Sequence, residues 1–253
     1  MKVVITEDRA AMGKFTGAQA ADYLRNCLSQ QAECNLVVAT GSSQFEVLEC
    51  LVKEPGIDWG RVNGFHLDEY LGLPRSHSAS FCGYLAERFV DRVPLKSFFY
   101  LDGTHSPALL KAEASRRIAG VSIDLMLCGI GENAHLAFND PPANFTSQDP
   151  YLIVELDEAC RKQQVGEGWF DALDQVPTQA ISMSIHQILS ARKILCSVPD
   201  RRKARAVRDS IEAEVSPLIP ATALRNHPDV TLVLDSASAT KLSPASLLHV
   251  SRQ

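Results

Sequence analysis

Three short segments of the sequence combine residue types that can bind an anion or move a proton. The first is Thr40-Gly41-Ser42-Ser43, which follows the apolar run at 35–39. Backbone N–H groups and hydroxyls at such a turn can hold a phosphate, and a glycine lets the backbone come close to a ligand. Taken alone, the segment could equally be an ordinary serine N-cap between a strand and a helix.

The second segment is FHLDEY at 65–70, at the end of another apolar run. It places two carboxylates, Asp68 and Glu69, side by side. A carboxylate held at a strand end can act as a general base. The same pair could instead cap a helix or lie in a solvated loop, so spacing alone leaves the role of Asp68 open.

The third segment, GIGENAHLAFNDPP at 129–142, is the most informative. Gly129 and Gly131 follow the most apolar run of the chain and permit a close backbone approach. His135 and then Asp140 come after them. A histidine held by a carboxylate keeps one tautomer and can transfer protons near neutral pH. The segment therefore indicates acid–base chemistry, with a structural histidine as the alternative.

Strands and helices that alternate along the chain must position these segments. Short apolar runs predict strands at 3–6, 35–40, 62–67, 98–102, 123–131, 193–198 and 229–235. Helical spacing of apolar residues predicts helices at 15–31, after residue 44, and at 78–90, 107–119, 176–189 and 201–214. The alternation predicts an α/β fold, a doubly wound and mostly parallel sheet with helices on both faces, Rossmann-like. One domain is expected over residues 1–253.

The three segments are expected to meet, because ligands of an open parallel sheet bind beyond the carboxyl ends of its strands. Each segment follows a predicted strand. The stretch 143–170 is interpreted as a lid over this site, with Gly166 and Gly168 allowing it to move. A plain surface loop is the alternative for that stretch.

Composition excludes several classes of function. The chain has a net charge of −5 and a single short basic run, Arg201-Arg202-Lys203, so we expect no nucleic-acid partner. The seven cysteines are dispersed, which favours reduced thiols over a disulfide framework or a zinc site. No apolar run suits a signal peptide or a membrane span. A cytoplasmic protein is therefore expected.

Together, and in this order, the three segments resemble the glucosamine-6-phosphate deaminase/isomerase family, whose wider fold group includes the 6-phosphogluconolactonases. The family's TGG(S/T) loop, MDEY-type segment and GxGxDGHxAFNEP segment appear here as ATGSS, HLDEY and GIGENAHLAFNDP. The resemblance covers nearly the whole chain, and its AFN-acid-Pro ending favours deaminases over lactonases. It implies isomerisation with deamination of an amino-sugar 6-phosphate, glucosamine 6-phosphate to fructose 6-phosphate plus ammonia or a close analogue, without a metal or organic cofactor.

The resemblance also implies roles for individual residues. Asp68 matches the enolising base, His135 the ring-opening acid–base group, and Asp140 the acidic residue that orients this histidine. Glu69 and Gly131 match supporting positions. The implied partner is a phosphorylated amino sugar, and a homo-oligomer is one of the assemblies that relatives form. The implied phosphate-binding set is Thr40, Gly41, Ser42, Ser43 and Lys203.

Four departures from the family pattern affect these roles. Asn133 belongs to the catalytic set but stands where the family has an aspartate, and an amide carries no charge to favour a protonated His135. Asp140 is one methylene shorter than the family's glutamate, which puts its reach in question, and Ala134 replaces a glycine. The segment EGWF at 167–170 lacks the family's phosphate-binding arginine. The candidate substitutes are Arg161, Lys162 and Gln164.

Two other functions stay open at this point. A lactonase-type hydrolase would use a histidine to activate water and would need no base at Asp68. A non-catalytic sugar-phosphate-binding protein would bind its ligand without turnover. Replacing Asp68 by asparagine separates an isomerase from a hydrolase, because only the isomerase requires that carboxylate.

Overall fold

The computed structural model describes all 253 residues and contains eleven strands and eight α-helices. The strands are β1 Lys2–Thr6, β2 Cys34–Val38, β3 Val62–His66, β4 Asp68–Tyr70, β5 Ser97–Phe99, β6 Leu125–Cys128, β7 Tyr151–Glu155, β8 Gln179–Met183, β9 Lys193–Val198, β10 Val230–Asp235 and β11 Val250–Arg252. The helices are α1 Arg9–Gln30, α2 Phe45–Leu51, α3 Phe81–Arg88, α4 Pro107–Ile118, α5 Glu158–Gly166, α6 Ile185–Leu189, α7 Ala204–Glu212 and α8 Pro244–Leu247. None of these helices is both long and apolar enough to cross a membrane.

Eight strands form one sheet in the order β11-β1-β10-β9-β6-β2-β3-β5, and every neighbouring pair is parallel. Successive residues of a strand point to opposite faces, so β2 sends Val37 into one apolar cluster and Leu36 and Val38 into another. Helices α1, α2 and α3 pack on the face of Leu36, and α4, α6 and α7 pack on the face of Val37. The predicted doubly wound α/β fold is confirmed.

The wholly apolar strand β6 shows why the strands of the large sheet could be predicted from the sequence. Its four residues, LMLC, are all buried, because helices cover both faces of the sheet. The predicted strand at 193–198 matches β9, and those near 62–67 and 229–235 match β3 and β10 within a residue. Asp200 caps the short 3-10 turn that precedes α7, because its side chain accepts a hydrogen bond from the Arg202 N–H.

A second, three-stranded antiparallel sheet, in the order β4-β8-β7, was not predicted. The helix expected over 176–189 is wrong in its first half, because QAISM at 179–183 forms the central strand β8 and only Ile185–Leu189 is helical. The stretch 143–170 is not a plain surface loop, since it contains β7 and α5. The small sheet gives Asp68 its place, because Asp68 begins β4 opposite Ser182 of β8.

Candidate active site

A cleft of about 630 Å³, including its open mouth, lies beyond the carboxyl ends of β9, β6, β2 and β3. Parallel strands end at one edge of the sheet, so the segments that follow them converge there. The predicted residues that line this cleft are Thr40, Gly41, Ser42, Ser43, Asp68, Gly131, His135 and Lys203. Three other predicted residues do not line the cleft but contact residues that do. Asn133 and Asp140 contact His135, and Glu69 contacts Phe81.

The loop after β2 depends on a glycine. Gly41 has φ of 87° and ψ of 169°, a conformation that is essentially restricted to glycine. It precedes a short 3-10 turn, Ser42–Gln44, that leads into α2. Gly129, after β6, faces this loop so closely that a β-carbon there would lie 2.6 Å from the Ser43 hydroxyl oxygen. Glycines on two strand ends therefore shape this end of the cleft.

Asp68 is a buried carboxylate without a protein hydrogen-bond partner. Its residue is 6% exposed, and its side chain lines the cleft. Burial, together with the nearby charge of Glu69, raises the pKa of Asp68 to about 8. A carboxylate with an elevated pKa is a stronger base than an exposed aspartate, so Asp68 is suited to proton abstraction.

Glu69 points into the protein and anchors the start of α3. Its carboxylate accepts hydrogen bonds from the backbone N–H groups of Tyr70, Phe81 and Cys82 at 2.9, 3.2 and 2.7 Å, and from the Ser80 hydroxyl at 3.3 Å. Burial raises the pKa of Glu69 to about 7, against the opposite effect of these backbone donors. The two adjacent carboxylates thus differ, because Glu69 anchors the start of α3 while Asp68 faces the cavity.

His135 is held by Asp140 and by the glycine below its ring. Its Nδ1 lies 2.9 Å from Oδ1 of Asp140, so the shorter side chain of the aspartate reaches far enough. A β-carbon at Gly131 would lie 2.2 Å from Nε2 of His135, which explains why position 131 has no side chain. Burial alone would raise the pKa of Asp140, but hydrogen bonds from His135 and Asn133 outweigh it and lower that pKa.

Asn133 organises this group through its amide. Its Nδ2 donates to Oδ1 of Asp140 at 3.0 Å and to Oδ2 of Asp157 at 3.2 Å, and its Oδ1 accepts from the His135 backbone N–H at 3.2 Å. An aspartate here would be a third carboxylate beside two others, and it could donate to neither. Ala134, next in the chain, has φ of 67°, a strained conformation for a residue other than glycine.

Lys203 lines the cleft but is not free. Its Nζ lies 3.1 Å from Oε1 of Glu167, and the side chains are only 7% and 5% exposed. Burial would raise the pKa of Glu167, yet the charge and hydrogen bond of Lys203 outweigh it and lower that pKa. Sequence reasoning missed Glu167, because a single glutamate between two glycines carries no signal of a partner so distant in the chain.

The three residues considered as substitutes for the family's phosphate-binding arginine lie in different environments. Arg161 donates to the carbonyls of Leu173 and Val176 at 2.6 and 3.1 Å, and Lys162 pairs with Glu158 on the exposed face of α5. Gln164 is buried and lines the cleft. Only Gln164 is placed to contact a ligand there, and its amide is neutral.

Three side chains near the cleft could coordinate a metal, and two of them, His135 and Asp140, already bond to each other. His135, Asp140 and Cys160 place their ligand atoms within 4.8 Å of one another. Burial raises the pKa of the Cys160 thiol, which opposes the thiolate form that binds metals. This group is better described as the support of His135.

Comparison with known proteins agrees with this geometry. The family model of the glucosamine-6-phosphate isomerases/6-phosphogluconolactonase matches residues 7–233. The chain belongs to this family. The predicted resemblance is confirmed, and with it the prediction that the chain is an enzyme of the deaminase and isomerase type.

Sequence relatives match along almost their entire lengths. A glucosamine-6-phosphate deaminase of Pseudarthrobacter chlorophenolicus is 34% identical over 251 residues, covering 97% of this chain and 94% of the relative. One of Streptococcus thermophilus is 35% identical over 244 residues, covering 96% and 100%.

Solved structures show the same fold. A monomeric glucosamine-6-phosphate deaminase superimposes with a TM-score of 0.86 at 27% identity, over 95% of this chain and 99% of that one. A 6-phosphogluconolactonase from Thermotoga maritima has a TM-score of 0.77 at 16% identity, over 93% and 100%. The second likeness is one of fold alone.

Proposed function

We propose that this chain isomerises and deaminates an amino-sugar 6-phosphate, glucosamine 6-phosphate or a close analogue. One observation carries the proposal: Asp68, His135, the 40–43 loop and Lys203 line the same cleft. The relatives named glucosamine-6-phosphate deaminase support both the reaction and the substrate. The seven free cysteines suit a reducing cytoplasm.

The proposed reaction starts with ring opening at His135. Asp140 accepts the Nδ1 hydrogen of the imidazole and leaves Nε2 to exchange protons with the sugar. The proton of the O1 hydroxyl is removed, the C1–O5 bond breaks as the C1 carbonyl forms, and O5 receives a proton. Such positioned acid–base groups contribute about 10²- to 10⁴-fold to a rate.

Isomerisation then uses Asp68. The carboxylate removes the proton from C2 while the C1 carbonyl oxygen takes up a proton; a proton then returns to C1, and the bond between C2 and nitrogen becomes a protonated imine. Water adds to this imine, and ammonia leaves to give the ketose phosphate, so that one water is consumed for each ammonia released. Asp68 suits this step because it faces the cleft and has no protein partner that would have to be displaced.

The test is release of ammonia from glucosamine 6-phosphate and galactosamine 6-phosphate by the purified protein. We expect release that falls at least about 10³-fold in Asp68→Asn and about 10²-fold or more in His135→Ala. Asp91→Asn is the matched control, because Asp91 is exposed and makes no side-chain hydrogen bond or ion pair. No release from either sugar by folded protein would contradict the proposal.

A hydrolase gives a different pattern in the same variants. If 6-phosphogluconolactone were hydrolysed, and Asp68→Asn left that rate unchanged, the lactonase alternative would replace the deaminase. Binding of a sugar phosphate without any turnover would instead indicate a non-catalytic role.

A further inference from the structure

The anion-binding end of the cleft already contains an anion, the side chain of Glu167. Besides the 3.1 Å contact with Lys203, its Oε1 accepts from Nε2 of Gln163 at 2.9 Å. Its Oε2 accepts from the Ser42 hydroxyl and from Nε1 of Trp169, both at 3.3 Å. Four donors therefore converge on this carboxylate, including two residues predicted to bind phosphate.

Glu167 also cancels the only lysine or arginine charge that lines the cleft. The other cations nearby have partners as well. Arg9, beside the loop after β2, pairs with Glu46 at 2.7 Å, and Arg202 pairs with Asp200 at 3.0 Å. A phosphate dianion entering here would meet a carboxylate and no uncompensated cation, so the two anions would repel each other at short range.

Packing of the chain around Glu167 fixes its backbone, whereas its carboxylate is held only by hydrogen bonds from side chains. Glu167 is the first residue after α5, and Gly168 turns the chain with φ of 80°. Trp169 then packs near Phe45 and Tyr84, and Phe170 packs edge-on against Tyr70. The carboxylate can therefore leave Lys203 by side-chain rotation while the aromatic residues stay in place.

We propose that Glu167 is a specificity-determining residue that competes with the substrate's phosphate for Lys203 and the Ser42 hydroxyl. In the free protein the carboxylate occupies the anion position, and a phosphate binds only as Glu167 moves out. The identity of the substrate rests on the proposed function, but the competition with Glu167 applies to any phosphate. Ligands without a dianion at this end do not incur the competition.

The structure supplies a direct probe of this exchange, because Trp169 donates to Glu167. The chain has two tryptophans, and Trp59 lies in the core against Phe89. In a Trp59→Phe background, the fluorescence of Trp169 reports the loss of its contact with Glu167. The experiment titrates inorganic phosphate into this protein and into the same protein carrying Glu167→Gln.

We expect phosphate to change Trp169 emission in the parent protein and to bind about tenfold or more tightly to Glu167→Gln, because that variant lacks the competing charge. Glu158→Gln, at the first residue of α5, is the matched control, and it should bind phosphate as the parent does. Lys203→Met should abolish the phosphate response. Glu167→Asp keeps the charge but withdraws the carboxylate, so its affinity should fall between those of parent and Glu167→Gln.

Weaker or equal phosphate binding in folded Glu167→Gln would overturn the proposal and make Glu167 a support for Lys203. Failure of every variant to bind phosphate would overturn it too, because no anion site would then exist. Neither outcome depends on turnover. If ammonia release fails while Glu167→Gln still binds phosphate more tightly, the proposed function falls and the competition stands.

Discussion

The two ends of the cleft differ in whether their charged side chains have protein partners. At the acid–base end, Asp68 faces the cavity with no protein partner and an elevated pKa. At the anion end, Lys203 and Glu167 neutralise each other in a nearly closed contact. Asp68 can accept a proton without losing any protein contact, whereas Lys203 must lose its contact with Glu167 before it can bind another anion. In the proposed mechanism, proton transfer and phosphate binding therefore depend on separate groups of residues.

After the substitutions of Asp68 and His135 themselves, the largest expected effect on activity is that of Gly131→Ala, which acts on the acid–base end alone. A β-carbon would lie 2.2 Å from Nε2 of His135, so the ring must leave its alignment with Asp140. We expect kcat for ammonia release to fall about 100-fold, while inorganic phosphate binds as before. Gly60→Ala is the control, since its β-carbon would approach no atom more closely than 3.5 Å. A matching loss of phosphate affinity would show that the two ends are coupled.

Asp68→Asn should increase stability while it removes activity. The pKa of Asp68 is about 8 in the folded protein and 3.8 in an ordinary aspartate, so its stabilising effect is complete below pH 4 and is lost as the pH rises to about 8. Asparagine does not ionise, so the variant does not lose stability as the pH rises. We expect the variant to exceed the parent in free energy of unfolding by about 5 kcal/mol at pH 8 and by little at pH 4. Equal stability at both values would mean that Asp68 ionises normally.

The pH dependence of activity should follow the same group. Because the base must be ionised, kcat/KM for ammonia release should fall about tenfold for each pH unit below about 8. Phosphate binding to the Trp59→Phe protein, measured over the same range, separates this effect from titration of the ligand. A profile that stays flat from pH 6 to 9 would remove Asp68 from the role of base.

The smallest expected effect is that of Asn133→Asp. The new carboxylate would lie next to Asp140 and Asp157, and its pKa would be raised by their charges. A raised pKa costs stability as pH increases, so the variant should lose about 1 kcal/mol at pH 8 and less at pH 5. Chemical unfolding at both pH values measures this. A stabilised variant would show that Asn133 is not required to donate to the two carboxylates.

The fold could be predicted from the sequence because its central strands are buried on both faces. Such strands are continuous apolar runs, and β6 and β9 stood out for that reason. The small sheet was missed because β8 follows Pro177. Proline is common in the first turn of a helix, so the segment was interpreted as a helix. Short strands such as β4 have too few residues to show a period.

The proposed catalytic residues were found through motifs, whereas the contacts that modify them were not. His135 and Asp140 lie in one segment, so their pairing was expected. Asp157 and Glu167 come from elsewhere in the chain, and only the packing of α5 against the cleft brings them to Asn133 and Lys203. Contacts between such distant residues depend on tertiary structure, which local patterns do not record.

The antiparallel sheet has a consequence for how this protein can diverge. Strand β8 pairs with β4, which begins at Asp68, and with β7, which leads into α5. Glu167 lies beyond the far end of that helix, outside the sheet. We therefore expect substitutions at the helix end to change which ligands are accepted without moving Asp68, the proposed base. Relatives that share this scaffold are therefore expected to differ in substrate through single substitutions at this helix end, while the proposed acid–base residues stay in place.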